Sequence, residues 1–497
     1  MPTSPPVALS DRSLRRDEVV AALRAVLPVD ALLASPEELT PYECDGLSAL
    51  RQVPLAVALP HTEDQVAAVL RCCRRLAVPV VARGAGTGLS GGALPHGDGI
   101  VLSLARLNGI LALDPEAGTA CVQPGVRNLA ISEAAAPFGL YYAPDPSSQI
   151  ACTIGGNVAE NSGGVHCLKY GLTLHNVLAV RGYTMDGEEI ICGGAAPEGP
   201  GLDLFPVVIG SEGLLLVIVE ITVRLLPRPA SARVVMASFD DVGRACDSVT
   251  AIIAAGIIPA GLEMMDRGAT AAVEPFCRAG YDLTAAAILL IESDGTPIEV
   301  EDEIQRVSAI VRGAGAIAVA VSGSEAERLR FWSGRKNAFP AAGRISPDYY
   351  CMDGTIPRKH LARVLDEIRG LEQRYGLRCI NVFHAGDGNL HPLILFDANA
   401  PGEWDRAEQF GTDILELCVA LGGTITGEHG VGAEKIGSMC SQFTDGERAA
   451  FAAVKAAFDP AGLLNPAKLI PTLHRCAEYG RQRVHAGQLP FPELERF

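Results

Sequence analysis

The sequence lacks any long apolar run and any excess of positive charge. The longest apolar stretch of its 497 residues, Gly213 to Val219, falls far short of the roughly 18 residues that a membrane-spanning helix needs. Asp and Glu number 58 against 41 Lys and Arg, which gives a net charge of −17. Such a surface repels nucleic acid and anionic lipid, so we expect no nucleic-acid partner. An anionic substrate would need a local cationic site.

Cysteine pairs of the Cys-x-x-Cys type are also missing, although the chain has 14 cysteines. Their absence excludes a sequence-evident iron–sulfur or zinc-knuckle motif and is typical of a cytosolic chain. The first 14 residues contain three prolines and no apolar segment of the kind that signal peptides carry. We therefore predict a cytoplasmic protein, with two or three domains for a chain of this length.

Glycine, by contrast, is abundant and clusters after a predicted helix and strand. Thr62 to Ala77 has the periodicity of an amphipathic helix, and Val80 begins a short strand. The next segment, Arg83 to Leu94, has five glycines in twelve residues, so consecutive backbone N–H groups could bind a pyrophosphate. Because Ile100 to Leu104 follows as a strand rather than a long helix, this is not a Rossmann loop. A structural turn rich in glycine is the alternative that the loop alone leaves open.

Two later segments extend this pattern. Asn157 and Asn161, within the glycine-rich segment from Thr153 to Gly164, are four residues apart and could present amides to a heterocycle. A third segment, Gly210 to Gly213, leads into a predicted strand. The order of glycine turn, asparagine cluster and closing strand is more specific than any one of them.

These three segments resemble the FAD-binding domain of the vanillyl-alcohol oxidase type, two small α+β subdomains that enclose the cofactor. The resemblance implies FAD, held non-covalently because Thr87 stands where a flavin-linked histidine would be. The residues that it assigns to FAD are Arg83, Gly84, Ala85, Gly86, Thr87, Gly88 and Ser90 in the diphosphate loop, then Pro144, Ser148, Gly155, Gly156, Asn157, Asn161, Gly163, Ile218 and Asn465.

Two histidines flank a turn in the second half of the chain. A hairpin that pairs His384 with His391 would place both imidazoles on one face, with Cβ atoms roughly 5 Å apart. Glu428, between Gly427 and His429, could supply a third ligand. Two imidazoles and one carboxylate suit Zn²⁺, or Fe²⁺ or Mn²⁺, with a position left open for substrate. The alternatives are histidines that brace a turn and a surface ion pair between Glu428 and Lys435.

Arg335 is the cation that we assign to a substrate carboxylate, since a guanidinium binds a carboxylate with two hydrogen bonds. A purely structural arginine is the alternative.

The histidine pair, the segment Glu428-His429-Gly-Val-Gly and the segment from Asp459 to Pro466 resemble the FAD-linked 2-hydroxyacid dehydrogenases. This group includes glycolate, D-lactate and D-2-hydroxyglutarate dehydrogenases. The resemblance implies oxidation of a short 2-hydroxyacid, in which His429 is the general base, a metal lowers the pKa of the hydroxyl, and the hydride passes to flavin N5.

Trp332 to Asp353 and the ending Pro490 to Phe497 are most similar to the members that oxidise glycolate. Cys351 stands where relatives that use dicarboxylates carry a basic residue, which favours glycolate, or D-lactate as the alternative, over 2-hydroxyglutarate. The resemblance also implies an iron–sulfur subunit, a second flavin-binding-like subunit and quinone as the eventual acceptor, with peripheral attachment to the inner face of the cell membrane through these subunits. A non-catalytic flavin-binding assembly subunit and a metallohydrolase are the alternatives from other classes.

The predicted fold class is α+β in three parts. The first is an FAD-binding domain of residues 1–230, with its core at about 50–228 and its end marked by Pro227 and Pro229. The second is a substrate domain of residues 231–437, with helices packed on one face of an antiparallel sheet. The opposite face, which carries the histidine hairpin, is then free to cover the flavin. The third is a C-terminal segment, residues 438–497, that returns to the FAD-binding domain and in which Thr444 and Glu447 form the capping box of a helix.

Overall fold

The computed structural model describes residues 9–194 and 201–471. Across these two ranges, no helix is long and apolar enough to span a bilayer. The ending Pro490 to Phe497, which resembles that of glycolate-oxidising enzymes, lies outside the described residues.

The elements are numbered in chain order. The strands are β1 (Leu32–Leu33), β2 (Ala56–Ala58), β3 (Val80–Arg83), β4 (Ile100–Ser103), β5 (Ile110–Asp114), β6 (Thr119–Val122), β7 (Leu140–Tyr141), β8 (Val177–Tyr183), β9 (Glu189–Gly193), β10 (Val217–Arg224), β11 (Leu226–Pro227), β12 (Ser231–Phe239), β13 (Gly261–Asp266), β14 (Ala287–Gly295), β15 (Ala318–Val321), β16 (Asp348–Cys351), β17 (Arg378–Phe383) and β18 (Pro392–Phe396). The α-helices are α1 (Leu9–Arg24), α2 (Pro36–Leu39), α3 (Glu63–Arg75), α4 (Asn128–Ala135), α5 (Ile154–Glu160), α6 (Cys167–Tyr170), α7 (Thr173–Asn176), α8 (Phe205–Val208), α9 (Val242–Ala254), α10 (Arg267–Cys277), α11 (Pro297–Gly313), α12 (Glu325–Lys336), α13 (Ala338–Ala342), α14 (Leu361–Tyr375), α15 (Glu403–Ala420), α16 (Met439–Gln442) and α17 (Asp445–Phe458).

The first half of the chain forms two sheets. One has the order β1-β2-β4-β3, in which β2 and β3 both run parallel to β4, and the other has the order β5-β6-β10-β8-β9. Helix α3 connects β2 to β3 as predicted, and Thr62 caps it by accepting a hydrogen bond from the backbone of Gln65. Its apolar stripe, including Val66, Val69 and Leu70, is buried against the first sheet. The glycine-rich loop therefore begins at the carboxyl end of a parallel strand, where α/β sheets commonly bind ligands.

The second half forms one seven-stranded sheet in the order β15-β12-β14-β13-β17-β18-β16, and all of its pairs are antiparallel. Helices α9, α11, α14 and α15 bury their apolar stripes on one face. The prediction that the other face is free of helices was wrong, because α10, α12 and α13 pack there around Phe331 and Trp332. The α+β fold class is confirmed.

The predicted hairpin exists, but its register differs by two residues. Asn381 pairs with Pro392, and His384 is bridged to Asn389 rather than to His391. A shift of two residues keeps a side chain on the same face of a strand. The two imidazoles therefore still share a face as diagonal neighbours, with ring centroids 5.1 Å apart.

The described part of the C-terminal segment packs on the first half. Thr444 and Glu447 form the predicted capping box at the start of α17. The Lys455 ammonium then donates to the carbonyl of Leu214 at 2.6 Å, and the backbone of Asn465 donates to that of Val80 at 2.8 Å. The C-terminal segment thus reaches the strand that precedes the glycine loop.

Candidate functional site

One cavity brings together the glycine loop, the asparagine cluster and part of the predicted metal site. Of the residues assigned to FAD, its wall includes Arg83, Gly84, Ala85, Gly86, Thr87, Gly88, Ser148, Gly155, Gly156, Asn157 and Ile218. His391, Glu428 and His429 form another part of the same wall. Segments about 340 residues apart in the chain therefore face one space.

The cavity also has polar atoms that the protein leaves unpaired. Thr153 Oγ1 and Asn157 Nδ2 are both buried, and neither has a hydrogen-bond partner in the part of the chain described. A buried polar atom without a partner costs about 1–3 kcal/mol, so such atoms point to a ligand that completes them. The glycine loop and these two atoms fit a cofactor with a diphosphate and a polar heterocycle.

Ser90 and Asn465, two further residues assigned to FAD, do not line the cavity but hold its loops. Ser90 Oγ donates to the carbonyl of His429 at 2.9 Å. Asn465 Nδ2 donates to the carbonyls of Gly92 and Glu212, at 3.0 and 2.7 Å. Both side chains thus stabilise the backbone around the cavity.

Pro144, Asn161 and Gly163 also lie outside the cavity wall. Asn161 ends helix α5 in the left-handed conformation, with a φ of 51°. The carbonyl of Pro144 accepts a hydrogen bond from Asn128 Nδ2 at 3.1 Å. Gly163 lies against Glu428, where any Cβ would overlap the carboxylate. Their assignment to FAD stays a prediction.

The glycine loop leaves no room for a methyl group at its first glycine, which allows a test. A Cβ at Gly84 would overlap Thr153 Oγ1, one of the two unpaired polar atoms. Overpacking of this kind typically costs about 1–3 kcal/mol, so we expect Gly84→Ala to weaken FAD binding roughly tenfold or more. The measurement is the FAD released on dilution, read by flavin fluorescence. Gly313→Ala is the control because nothing lies within 4 Å of a Cβ there; equal FAD affinity in both variants would contradict the expectation.

The predicted metal ligands come together. His384 Nε2 and His391 Nε2 lie 3.3 and 3.2 Å from Glu428 Oε1, and ligand atoms of the three residues are all within 4.8 Å of one another. Neither nitrogen of His391 has a hydrogen-bond partner among residues 9–194 and 201–471. Two imidazoles and a carboxylate with an unpaired nitrogen fit a divalent ion.

Lys435 does not pair with Glu428, contrary to the alternative of a surface ion pair. Its ammonium is buried and lies 3.4 Å from Asp353 Oδ2 and 3.4 Å from Glu434 Oε2. A second possible metal trio, Asp353 with His391 and His429, shares one histidine with the first. Its carboxylate is already occupied by other donors, so the trio with Glu428 is the better ligand set.

Burial and mutual charge set the protonation of the ligands. Burial alone would raise the pKa of Glu428, but the imidazoles of His384 and His391 beside its carboxylate hold that pKa well below its usual range. Burial would likewise lower the pKa of His384, yet the carboxylates of Glu263 and Glu428 raise it well above its ordinary value. Glu428 is therefore ionised, as a metal ligand must be.

His429 differs from its neighbours. Burial lowers the pKa of His429 to about 4, so the imidazole is neutral near pH 7 and can accept a proton. Its ring is stacked on that of His391, with centroids 4.9 Å apart and planes 1° from parallel. The residue predicted as the general base thus has the protonation state that this role requires.

Asp353, which sequence reasoning missed, holds the loop that carries Glu428 and His429. Its carboxylate accepts hydrogen bonds from the backbone N–H groups of Gly427, Glu428 and His429, and from the hydroxyl of Thr426. The only local sign was an acidic residue two positions after strand β16. Its partners lie more than 70 residues further along the chain.

Glu212 binds the backbone of the same loop, a few residues further along the chain. Its two carboxylate oxygens accept from the backbone N–H groups of Val431 and Gly432, both at 2.6 Å. Glu212 also lines the cavity, as does Glu160, whose buried Oε2 has no partner in the described ranges. The loop that carries Glu428 and His429 is therefore anchored directly to the domain predicted to bind FAD.

Arg335 does not lie on the cavity wall. It is only 2% exposed, and its Nε lies 2.6 Å from Glu263 Oε2. Its Nη2 is buried and lacks a partner in the residues that the structure covers, so one edge of the guanidinium can still bind an anion. Cys351 lines a separate cavity with Gly46 and Trp404, so its bearing on substrate choice stays a prediction.

Comparisons with known proteins agree with this geometry. A family described as "FAD binding domain" matches residues 54–193, and one described as "FAD linked oxidases, C-terminal domain" matches residues 228–469. The glycolate oxidase subunit GlcD of Escherichia coli (strain K12) is 62% identical over 482 residues, which is 97% of each chain. A D-lactate dehydrogenase of Anaerostipes hadrus is 32% identical and covers 82% of this chain and 87% of its own.

The fold is that of the vanillyl-alcohol oxidase type. A solved structure of p-cresol methylhydroxylase with substrate bound superimposes with a TM-score of 0.77 at 17% identity, over 91% of this chain and 96% of that one. Two domain matches and a relative with 62% identity identify the family of this chain. The chain belongs to the family of FAD-linked oxidases that includes the glycolate oxidase subunits GlcD.

Proposed function

We propose that this protein oxidises glycolate to glyoxylate as the FAD-containing subunit of a larger complex. The observation that carries the proposal is the position of His391, Glu428 and His429 on the wall of the cavity that the glycine loop lines. A metal-ligand set, a neutral imidazole and a flavin site then face one small volume. That combination matches the needs of 2-hydroxyacid oxidation.

FAD accepts a hydride when bound, and the divalent ion makes the hydroxyl of a 2-hydroxyacid more acidic. His384, His391 and Glu428 would hold that ion. Three nitrogen and oxygen ligands with an open position favour Zn²⁺, with Fe²⁺ and Mn²⁺ as alternatives. FAD would be held non-covalently, since Thr87 lines the cavity and offers no flavin-linking nitrogen.

Each of the remaining side chains then has a separate role toward the substrate. The free edge of the Arg335 guanidinium binds the carboxylate, and His429 accepts the hydroxyl proton. Asp353 and Glu212 hold the loop that carries Glu428 and His429, so that these groups keep their positions during turnover.

The division of the chain supports the same proposal. Strand β11 ends at Pro227 and β12 begins at Ser231, so we place the boundary between the FAD-binding and substrate domains near residue 230. The segment from 438 onward returns to the first domain through Lys455. Each half then supplies one wall of the cavity.

The electrons must leave through partners. The Escherichia coli relative is named as a subunit of glycolate oxidase, which supports assembly into a complex. We propose an iron–sulfur subunit and a second flavin-binding-like subunit, with quinone as acceptor and cytoplasmic placement at the inner face of the membrane. The acidic surface, with a net charge of −17, suits docking on basic partner surfaces rather than on nucleic acid.

An anaerobic titration followed by visible absorbance tests the substrate. We expect glycolate to bleach the oxidised flavin at lower concentrations than D-lactate, and D-2-hydroxyglutarate to be the weakest of the three. A lower concentration of D-lactate for half-bleaching would replace glycolate by the alternative that the Anaerostipes hadrus relative supports. A colourless protein would remove the flavin mechanism and favour a metallohydrolase.

A further inference from the structure

A single buried glutamate contacts both the proposed metal site and the proposed substrate-carboxylate site. Glu263 is 1% exposed, and its Oε1 lies 2.6 Å from His384 Nδ1. Its other oxygen, Oε2, lies 2.6 Å from Arg335 Nε. Each oxygen of one carboxylate thus contacts a different functional group.

The fold brings these three residues together from distant parts of the chain. Strand β13 pairs with β17 so that Met264 lies opposite Phe383, and the same register places Glu263 opposite His384. Arg335 comes from the last turn of α12, on the face of the sheet that was predicted to be free. The 121 residues between Glu263 and His384 explain why no local motif reveals the contact.

The contact has a chemical consequence for His384. An ionised carboxylate can only accept hydrogen bonds, so His384 must carry its proton on Nδ1. Its other nitrogen, Nε2, lies 3.3 Å from Glu428 Oε1 and is the atom left to bind a divalent ion. A carboxylate in this position fixes the tautomer of a metal-bound histidine and makes it a stronger ligand.

The contact also has a consequence for Arg335. The bond to Glu263 holds the guanidinium through Nε and leaves Nη2 unpaired in the interior, at least among the described residues. A buried cation with one neutralising partner and one free edge can take a single anion. The free edge is the part that remains for the carboxylate of a monocarboxylic acid.

We propose that Glu263 is the positioning residue that joins the metal site to the substrate-carboxylate site. A 2-hydroxyacid has its hydroxyl and its carboxylate on adjacent carbons, so the two groups that bind them must keep a fixed separation. One rigid carboxylate that contacts both His384 and Arg335 provides that separation. This inference rests on the proposed function, because it presumes that a divalent ion binds at His384.

The alternative is a buried ion pair that serves only stability, and the chain contains a comparison for it. Glu292 on β14 is 2% exposed and also contacts a histidine and an arginine, with 3.2 Å to His166 Nε2 and 2.8 Å to Arg328 Nη1. It does not line the cavity. Glu292→Gln is therefore a matched control for Glu263→Gln.

The test measures metal affinity, by equilibrium dialysis of the purified flavoprotein with Zn²⁺ and with Mn²⁺ against a competing chelator. An amide has one acceptor oxygen, so a glutamine at 263 cannot accept from both His384 and Arg335. We expect Glu263→Gln to weaken metal affinity about 10–100-fold and to raise the KM for glycolate, with bound FAD unchanged. Glu292→Gln should leave metal affinity and KM as in the wild type.

A second variant covers the case in which Glu263→Gln fails to fold. Glu263→Asp keeps the buried charge but is one methylene shorter, so it can reach only one of the two partners, and we expect an intermediate loss of metal affinity. Wild-type metal affinity in a folded variant at 263 would overturn the inference and leave the proposed function intact. A wild-type protein that binds neither ion would overturn the metal site and this inference together.

Discussion

Replacing Glu428 with alanine is expected to lower the turnover of glycolate about a thousandfold or more while FAD stays bound. Glu428 Oε1 is the atom that both His384 Nε2 and His391 Nε2 approach, at 3.3 and 3.2 Å, so its removal would leave the proposed ion with two ligands. A bound metal contributes several kcal/mol to the stabilisation of a developing alkoxide, and each 1.36 kcal/mol is a factor of ten in rate. The measurements are kcat, metal content and flavin absorbance of the same preparation.

The variant His429→Ala tests the proposed general base independently of the proposed metal ligands. That variant keeps all three ligands, so we expect it to retain metal and FAD while kcat falls by about 10²–10⁴-fold, the usual contribution of a general base. Retention of metal by Glu428→Ala would contradict the ligand assignment. Unchanged activity of the assembled complex with Glu428→Ala would instead favour a non-catalytic assembly subunit.

The features that sequence reasoning predicted correctly have local causes. The start of α3 depends on Thr62 and that of α17 on Thr444 and Glu447, all within one helical turn of the residues they cap. The five glycines from Gly84 to Gly92 likewise form a loop because of their own backbone freedom. All residues that produce these features lie within one short segment, so the sequence of that segment is enough to predict them.

The features that were missed depend on contacts between distant segments. Asp353 contacts residues 427–429, and Glu212 contacts Val431 and Gly432 more than 200 residues later. Nothing near either acid in the sequence indicates these partners. The helices on the second face of the large sheet were missed for a related reason, because α12 packs there through Phe331 and Trp332 against distant segments.

The hairpin shows why the site was nevertheless identified. Its register was wrong by two residues, since His384 is bridged to Asn389. Side chains alternate between faces with a period of two, so an error of this size preserves the face on which His384 and His391 lie. An error of one residue would have separated them.

Asp353→Ala is expected to destabilise the fold by about 3 kcal/mol, at the lower end of the usual cost of removing one partner of a buried ion pair. The Asp353 carboxylate is fully buried and accepts from three backbone N–H groups and a hydroxyl. Its loss leaves these donors unpaired and takes one of two carboxylates from Lys435, which keeps Glu434 at 3.4 Å. The measurement is the midpoint of thermal unfolding of the metal-free flavoprotein, followed by circular dichroism.

The pH dependence of this difference provides a second readout. Burial alone would raise the pKa of Asp353, but His429, Lys435 and His391 hold that pKa well below its ordinary range. The stabilisation is therefore fully present above the unfolded pKa of about 3.9, and it is lost as the pH falls through the lower folded value. The gap between wild type and Asp353→Ala should thus be widest near neutral pH and shrink in acid. Asp353→Asn, which keeps one acceptor oxygen in a side chain of the same shape, should fall between the two; equal unfolding midpoints for all three proteins at neutral pH would show that Asp353 does not hold the loop that carries Glu428 and His429.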